Sequence, residues 1–441
     1  MTSKKQLKQR IRERMAATGE RYSTARRQIL GESVPVTTDR GYLLRGGVHP
    51  DSAAVANVVA HHGVRLAATG EPPSEALVFG IGGGLGAGYI LWEFAQHDTR
   101  TLVLGFRNGW QYTGRWVRQA LDRLGAPFDE HTTSGTKGAA AQLTAVLDAG
   151  RPAIVWPDRY LAGYWHLPAH LEAHGGHPVV AYAQDNDRVR LDDRNLAPLT
   201  VDRETLDVAR ARVVSYKNLL LVPRPRGQRE VSDADLHSAV RAGLIDCAGH
   251  LRHTSESFSL PAWRKWSRLM TEERNAKGWP RVFADGRGLT GALLSIWEGI
   301  EPAGMTGGNL RRLYADFLTD AARLLDAPAL GDVAAAFSVA ARAWHDVAEA
   351  AFPADVPAFG RMRALTAQVS ESITADGDAG AAQAAEAARE LWALRAEYDF
   401  APPVEPSAVR DIFATVSDRV REVYQAEAAA VRRLHAAVAE T

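Results

Sequence analysis

The chain has 441 residues, and its 52 Lys and Arg balance 52 Asp and Glu, so its formal net charge of zero argues against a protein that acts as a whole on polyanions. Hydrophobic residues at 46% and charged residues at 24% are a globular composition, and this length favours two domains over one. A single cysteine, Cys247, excludes an internal disulfide and a cysteine-ligated zinc site and suits a reducing, cytoplasmic compartment. No apolar run approaches the ~18 residues of a membrane span, and the charged N-terminal stretch lacks the apolar centre of a secretory signal.

The first stretch, "MTSKKQLKQRIRERMAATGERYSTARRQIL", is locally basic: Lys4, Lys5, Lys8, Arg10, Arg12, Arg14, Arg21, Arg26 and Arg27 face only Glu13 and Glu20. Leu7, Ile11 and Met15 fall on one helical stripe, and Gly19 breaks it. It reads as a basic helical arm over 1–40. Such an arm is either a solvated helix or a dock for an acidic partner, such as a carrier protein, a peptide or an anionic surface. With Tyr22 as its one aromatic, nucleic acid is disfavoured.

Residues 41–226 alternate helix and strand signals. "RGGVHPDSAAVANVVAHHG" is a glycine turn feeding a helix capped by Gly63. "ALVFGIGGGLGAGYILWEF" reads as a short strand, a glycine loop and an apolar segment; "RTLVLGFR" as a strand; "GRWVRQALDRLG" and "GAAAQLTAVLDAG" as helices; "RPAIVWPD" as a strand. "HPVVAYAQDNDRVRLDD" is two β-rich runs joined at Asp185–Asp187, hence a hairpin. "NLLLVPRPRG" ends the region as a strand and a Pro/Arg linker. From 227 to 441 the periodicity is helical, giving an all-α bundle of six to eight helices with loops at "DVPAFGRMR" and "SITADGDAG". Its faces could serve a homodimer or the domain interface.

Several constellations could carry chemistry. The glycine run Phe79–Gly88 is no dinucleotide fingerprint and no P-loop, so no nucleotide cofactor is expected. It is either a tight backbone crossing or a cradle of N–H groups, with Gly82, Gly83 and Gly84 at its centre. His166, His170 and His174 share helical spacing, but Pro168 and Gly175–Gly176 interrupt the helix and no glutamate stands in the metalloprotease position, so no metal is expected. His177 is different. It opens an apolar strand, and Asp193 ends the next one, so a hairpin can set histidine and aspartate side by side as a base and its orienting group. His49, Pro50, Asp51 and Ser52 stand at a helix start, where free N–H groups point outward. Cys247, in "GLIDCAGHL", reads as a buried small hydrophobe, and Trp92, Trp110, Trp156 and Trp165 as core. Gly307, Gly308, Arg311, Arg312 and Tyr314 open a helix that either carries a solvated basic turn or lines a groove for an anionic or peptide substrate.

The order of "GGxH", "FGxGGGLG" and "DRYxxGYWHLPAH…HGGHPVVAYxxDNDRVRLDDR" resembles the butirosin biosynthesis protein H N-terminal family, and "IWEGIEPAGMTGGNLRRLYADFLTDAARLL" resembles the domain of unknown function that often follows it. The resemblance covers residues 45–350. It implies an α+β, papain-like domain with a mixed or antiparallel sheet, followed by an all-α domain. It also implies a Cys–His–Asp triad that moves an acyl group from a carrier-protein thioester to an amine. The family histidine is matched by His177, its acidic partner by Asp193 and its glycine loop by Gly80–Gly86. The family cysteine falls at Pro50, which has no nucleophilic atom. Ser52, about 200° further round the helix, points away from a base placed for residue 50. The expected catalytic pair is therefore His177 and Asp193, with His49, Ser52, Gly82, Gly83, Gly84, Arg311 and Tyr314 as candidate substrate contacts. The expected function is acyltransferase-like amide formation without a covalent cysteine intermediate, using a small-molecule acceptor. The alternative is a pseudoenzyme that binds a substrate, peptide or carrier protein.

Overall fold

The computed structural model describes residues 36–38, 41–94, 99–168, 175–224 and 229–440. Of the basic helical arm expected over residues 1–40 only residues 36–38 are described, and there Val36–Thr37 form a strand instead of a helix; the rest of the arm, and His170 and His174, lie outside the described residues.

In chain order the elements are β1 (Val36–Thr37), β2 (Leu43–Leu44), α1 (Pro50–His61), β3 (Val64–Leu66), α2 (Glu75–Ile81), β4 (Leu85–Phe94), β5 (Thr99–Arg107), α3 (Thr113–Arg123), β6 (Phe128–His131), α4 (Thr136–Asp148), β7 (Ala153–Val155), β8 (Val179–Asp185), β9 (Arg188–Asp192), β10 (Leu199–Asp202), α5 (Arg203–Arg212), β11 (Leu220–Pro223) and β12 (Arg229–Val231). Nine helices follow among the described residues: α6 (Asp233–Arg252), α7 (Pro261–Thr271), α8 (Trp279–Val282), α9 (Leu289–Ile300), α10 (Arg311–Leu324), α11 (Ala329–Ala351), α12 (Pro357–Asp376), α13 (Ala381–Tyr398) and α14 (Pro406–Glu440). None of the described helices is long and apolar enough to cross a membrane.

The chain forms two compact units. One comprises residues up to Val78, Thr113–Leu236 and Leu365–Glu390; the other comprises Phe79–Tyr112, His237–Ala364 and Leu391 onward. Neither is contiguous, unlike the expected ranges 41–226 and 227–441. The β4–β5 ribbon belongs to the helical unit because its apolar residues lie against α7 and α9.

The first unit holds a six-stranded sheet in the order β10-β9-β8-β7-β11-β6, with every pair antiparallel. β3 and β12 pair separately and in parallel. α1 lies against β7, β8 and α3. Its residues from Pro50 to Ala60 are all buried, as expected of a central, mostly apolar helix enclosed on all sides, and its buried polar side chains Ser52 and Asn57 are hydrogen-bonded. α3 is amphipathic and buries Trp116, Val117, Ala120 and Leu121. A central helix on an antiparallel sheet, with a helical region following, is the α+β, papain-like architecture that the sequence led us to expect.

The second unit packs Trp263, Trp266, Trp297 and Trp344, all fully buried. At its centre Arg311 Nε donates to Glu427 Oε1 at 2.6 Å and one guanidinium N–H donates to Glu427 Oε2 at 3.0 Å. The indole N–H groups of Trp263 and Trp344 donate to the same carboxylate at 3.1 and 2.7 Å. A buried ion pair needs such further partners to offset the loss of hydration.

Three local expectations are corrected. "ALVFG" is not a strand but the helix α2, because the Ser74 hydroxyl accepts the Leu77 N–H at 3.1 Å and starts a turn; a short apolar run fits either element. "DVPAFGRMR" and "SITADGDAG" are not loops, since α12 runs through both as far as Asp376. Pro357 suits its first turn, and Phe359, Met362 and Leu365 form its buried stripe. With the single-turn α8, this brings the helices to nine rather than six to eight.

Candidate active site

The hairpin expected at residues 177–193 forms, with Asn186 in the left-handed region at its turn. A one-residue bulge decides what it brings together. Ala183 pairs with Arg190 near the turn, but Ala181 pairs with Leu191 and Val180 with Asp192, leaving Tyr182 as the extra residue. Continued, that register sets Val179 opposite Asp193, and His177 shares the face of Val179. Without the bulge Asp193 would stand opposite Val180, on the other face from His177, because a one-residue slip exchanges faces.

His177 Nε2 lies 2.8 Å from Asp193 Oδ2, and the two side chains are 6% and 0% exposed. The same oxygen accepts the Tyr164 hydroxyl and the Trp165 indole N–H, each at 2.9 Å. Arg194 Nε donates to Asp193 Oδ1 at 3.2 Å. Burial opposes ionisation of Asp193, but the electrostatic attraction of the facing His177 ring, the charge of Arg194 and the hydrogen bonds from His177 and Trp165 outweigh it. They hold this carboxyl below the usual carboxylate range. Asp193 therefore remains an acceptor. With Nε2–H donating to it, the lone pair of the neutral imidazole sits on Nδ1, the nitrogen that can take a proton from a reactant.

Asp192, the preceding residue, behaves in the opposite way. Burial pushes its carboxyl up to about 7, against the hydrogen bonds from Tyr42, Asn57 and the Arg194 N–H, and the Asp193 charge adds to the rise. Tyr42 donates to it at 2.9 Å and Asn57 at 3.0 Å. Asn57 also donates to the Gly46 carbonyl at 3.1 Å, tying the hairpin end to the segment before α1.

The start of α1 is a second cluster. His49 is its N-cap and Pro50 its first residue, with no side-chain cap from His49. Glu75 supplies the missing acceptor. Its Oε2 takes the Val48 N–H, and its Oε1 takes the His49 N–H and the Ser52 hydroxyl, all at 2.8 Å. Burial raises the Glu75 carboxyl above its ordinary value, and these hydrogen bonds and the charge of Arg194 oppose the rise. Gly47 is obligatory in this arrangement, since a Cβ there would come within 2.3 Å of Ala53 Cβ. Arg194 joins the two clusters, because its NH1 donates to the Val48 carbonyl at 3.2 Å while its Nε holds Asp193. Its left-handed backbone, φ 65°, is supported by its N–H bond to Asp192 Oδ1.

The other sequence candidates lie as follows. Ser52 is 0% exposed and its hydroxyl is committed to Glu75, so it is a buried brace of the helix start and presents no group to a ligand. His49 is buried, with Nε2 3.6 Å from Asp51 Oδ2. Gly82, Gly83 and Gly84 are buried in the other unit. There the glycine run makes close crossings: a Cβ at Gly80 would meet the Phe317 ring at 2.1 Å, and one at Gly84 the Tyr314 ring at 2.5 Å. The Gly83 carbonyl accepts the Asn108 amide at 3.1 Å. Arg311 and Tyr314, expected on a solvated turn or a groove wall, are both 0% exposed core residues, because Glu427 and the aromatic cluster enclose them. Cys247 is fully buried, and burial pushes its thiol up to about 12. His166 has φ 50° and stands apart from any helix. Among the described residues no three His, Cys, Asp or Glu side chains are grouped to hold a metal.

Glu75, Arg194, Tyr164, Asn57 and Tyr42 had no signal in the sequence. Glu75, Tyr164, Asn57 and Tyr42 act across long separations, and Arg194, although it also bonds its neighbours Asp192 and Asp193, ties the site together through the distant Val48 carbonyl, so nothing in the local pattern shows where a carboxylate or guanidinium will be needed.

Comparison with known families bears on both units, whereas no match was found among curated proteins. Residues 49–194 match the family Butirosin biosynthesis protein H, N-terminal, a segment that begins at the N-cap of α1 and ends at Arg194. Residues 225–372 match the Domain of unknown function (DUF4872). The chain therefore belongs to the butirosin biosynthesis protein H-like family, with that family's N-terminal domain followed by the helical domain of unknown function.

Proposed function

We propose that this protein is an acyltransferase of specialised metabolism that forms an amide directly from a carrier-protein thioester or a similarly activated acyl donor. The family points to a biosynthetic, acyltransferase-like role. The observation that carries the finer reading is the His177 Nε2–Asp193 Oδ2 contact of 2.8 Å, buried and reinforced by three further donors. An imidazole so oriented is a general base, worth ~10²–10⁴-fold. Pro50 stands where the family resemblance puts the cysteine, and the Ser52 hydroxyl is held by Glu75, so the reaction runs without an acyl-enzyme. The amine nitrogen attacks the thioester carbonyl carbon as its proton passes to His177 Nδ1. The C–N bond forms, the C–S bond breaks, and the proton is returned to the leaving thiolate. Because the thioester is already activated, holding both reactants together supplies much of the acceleration. The basic segment before residue 30 is the proposed contact for an acidic carrier protein.

The absence of a nucleophile at Pro50 also favours a second reading, a binding module without catalysis. His177→Ala separates them. Acyl transfer requires that this variant lose product formation from a carrier-bound donor while it melts like the parent, and that a thiol alkylator leave the parent active. If the variant retains partner affinity and biological effect, the protein is a binding module.

A further inference from the structure

The geometry points to Arg159 as an anion-recognition residue beside the His177–Asp193 pair, binding a carboxylate that the substrate carries close to its reacting group. The inference rests on the reading of that pair as the acid–base centre.

The strand register places Arg159. β7 pairs with β8 through Val155↔Val179, and the same register continues to the bridge Asp158↔Gly176. The flanking hydrogen bonds, His177 N–H to the Pro157 carbonyl at 2.9 Å and Arg159 N–H to the Gly175 carbonyl at 3.4 Å, set Pro157 opposite His177 and Arg159 opposite Gly175. Those two pairs share one face of the ribbon, while Asp158 and Gly176 occupy the other. Two contacts agree with this. A Cβ on Gly176 would meet the Tyr216 ring at 2.4 Å, and Tyr216 stacks on Trp156, which shares the Asp158 face; a Cβ on Gly175 would lie 3.4 Å from Arg159 Nε. Arg159 and His177 are thus same-face diagonal neighbours, separated by about 7–8 Å in such a ladder.

The guanidinium is held but not neutralised. It is partly buried, lies over the Tyr160 ring at 5.3 Å, and rests against Gly175, which offers no side chain to crowd it. Its Nε is shielded from solvent and has no hydrogen-bond acceptor. Arg118, Arg151, Arg194, Arg203 and Arg210 of this unit each have a carboxylate partner; among the described residues Arg159 has none, and unlike Arg65, which also lacks a carboxylate but bonds the Ala60 and Val64 carbonyls, its guanidinium has no carbonyl acceptor either. A planar, partly desolvated guanidinium is suited to a bidentate carboxylate. The short distance to His177 limits the anion to one within a side chain's length of the reacting atoms. That excludes the distant phosphate of a carrier arm and fits an amino-acid-like acceptor or a short dicarboxylic acyl group.

The test is a titration of the full chain, with 15N-labelled histidine, by sodium acetate and separately by acetamide. The His177 ring resonances, assigned by their loss in His177→Ala, report binding. They are expected to shift saturably with acetate and not with acetamide. Arg159→Gln should weaken acetate at least ten-fold with an unchanged melting temperature, and Arg159→Lys should keep part of the response. β-Alanine against its amide, and the succinyl against the butyryl thioester of N-acetylcysteamine, distinguish an acceptor-borne from a donor-borne carboxylate. Preference for the anionic member of either pair, lost in Arg159→Gln, supports the inference. No acetate response in the parent, or an equal response in Arg159→Gln, overturns it. Since no turnover is read, a protein that binds acetate here but transfers no acyl group would refute the proposed function alone.

Discussion

Glu75→Ala tests the claim that a distant carboxylate, rather than a local cap, builds the helix start beside the candidate site. The substitution leaves the Val48 and His49 N–H groups and the Ser52 hydroxyl without their acceptor. The hydroxyl can turn to the His49 carbonyl, 3.4 Å away, so two partly buried backbone donors are stranded. Each costs about 1–3 kcal/mol. Removing the desolvated carboxylate, whose burial raises its own pKa, returns part of this, and a net loss of about 3 kcal/mol is expected. At roughly 2–4 °C per kcal/mol for a unit of this size, its calorimetric transition should fall by about 6–12 °C, with the helical unit unaffected. Glu75→Gln should lie between the two, because its amide oxygen can still accept from His49 and Ser52 while its NH2 opposes Val48. A shift below about 2 °C for Glu75→Ala, or a Gln variant less stable than the Ala variant, would refute the reasoning.

Other consequences concern charge and space. The Asp192 carboxyl is pushed up to about 7 from an unfolded value near 3.9, so the folded protein holds a proton there that the unfolded chain has released. Its contribution is complete below the unfolded value and declines as pH rises through about 7, with a limiting slope of about 1.4 kcal/mol per pH unit. Urea midpoints measured from pH 4.5 to 7.5 should flatten in Asp192→Asn. Asp193, held low, acts in the opposite sense, and its stabilisation is lost as pH falls below the usual carboxylate range. Gly80→Ala drives a methyl group into the Phe317 ring and should cost about 1–3 kcal/mol in thermal denaturation, part of it recovered with Phe317→Leu. Glu427→Ala strands the buried Arg311 charge and two indole donors and should cost about 3–5 kcal/mol; Arg311→Met combined with Glu427→Leu should cost much less.

Where a signal is local, the sequence determined the outcome. The apolar run and Gly63 specify α1, the alternation around Asp185–Asp187 specifies the hairpin, and the 3.6-residue period specifies most of the helices after 233. The pairing of His177 with Asp193 was legible as well, because one hairpin joins them and hairpin spacing is short-range. Only the tertiary structure decided that they share a face, since the bulge at Tyr182 that sets the register is invisible in composition or period. It alone decided that Ser52 braces Glu75 and that Arg311 lies under Glu427 instead of on a solvated turn. It also decided that the glycine run admits the rings of Phe317 and Tyr314. In each case the partner comes from a remote part of the chain. Hydrogen-bond satisfaction and close packing are properties of neighbours in space, and a one-dimensional pattern records only neighbours in sequence.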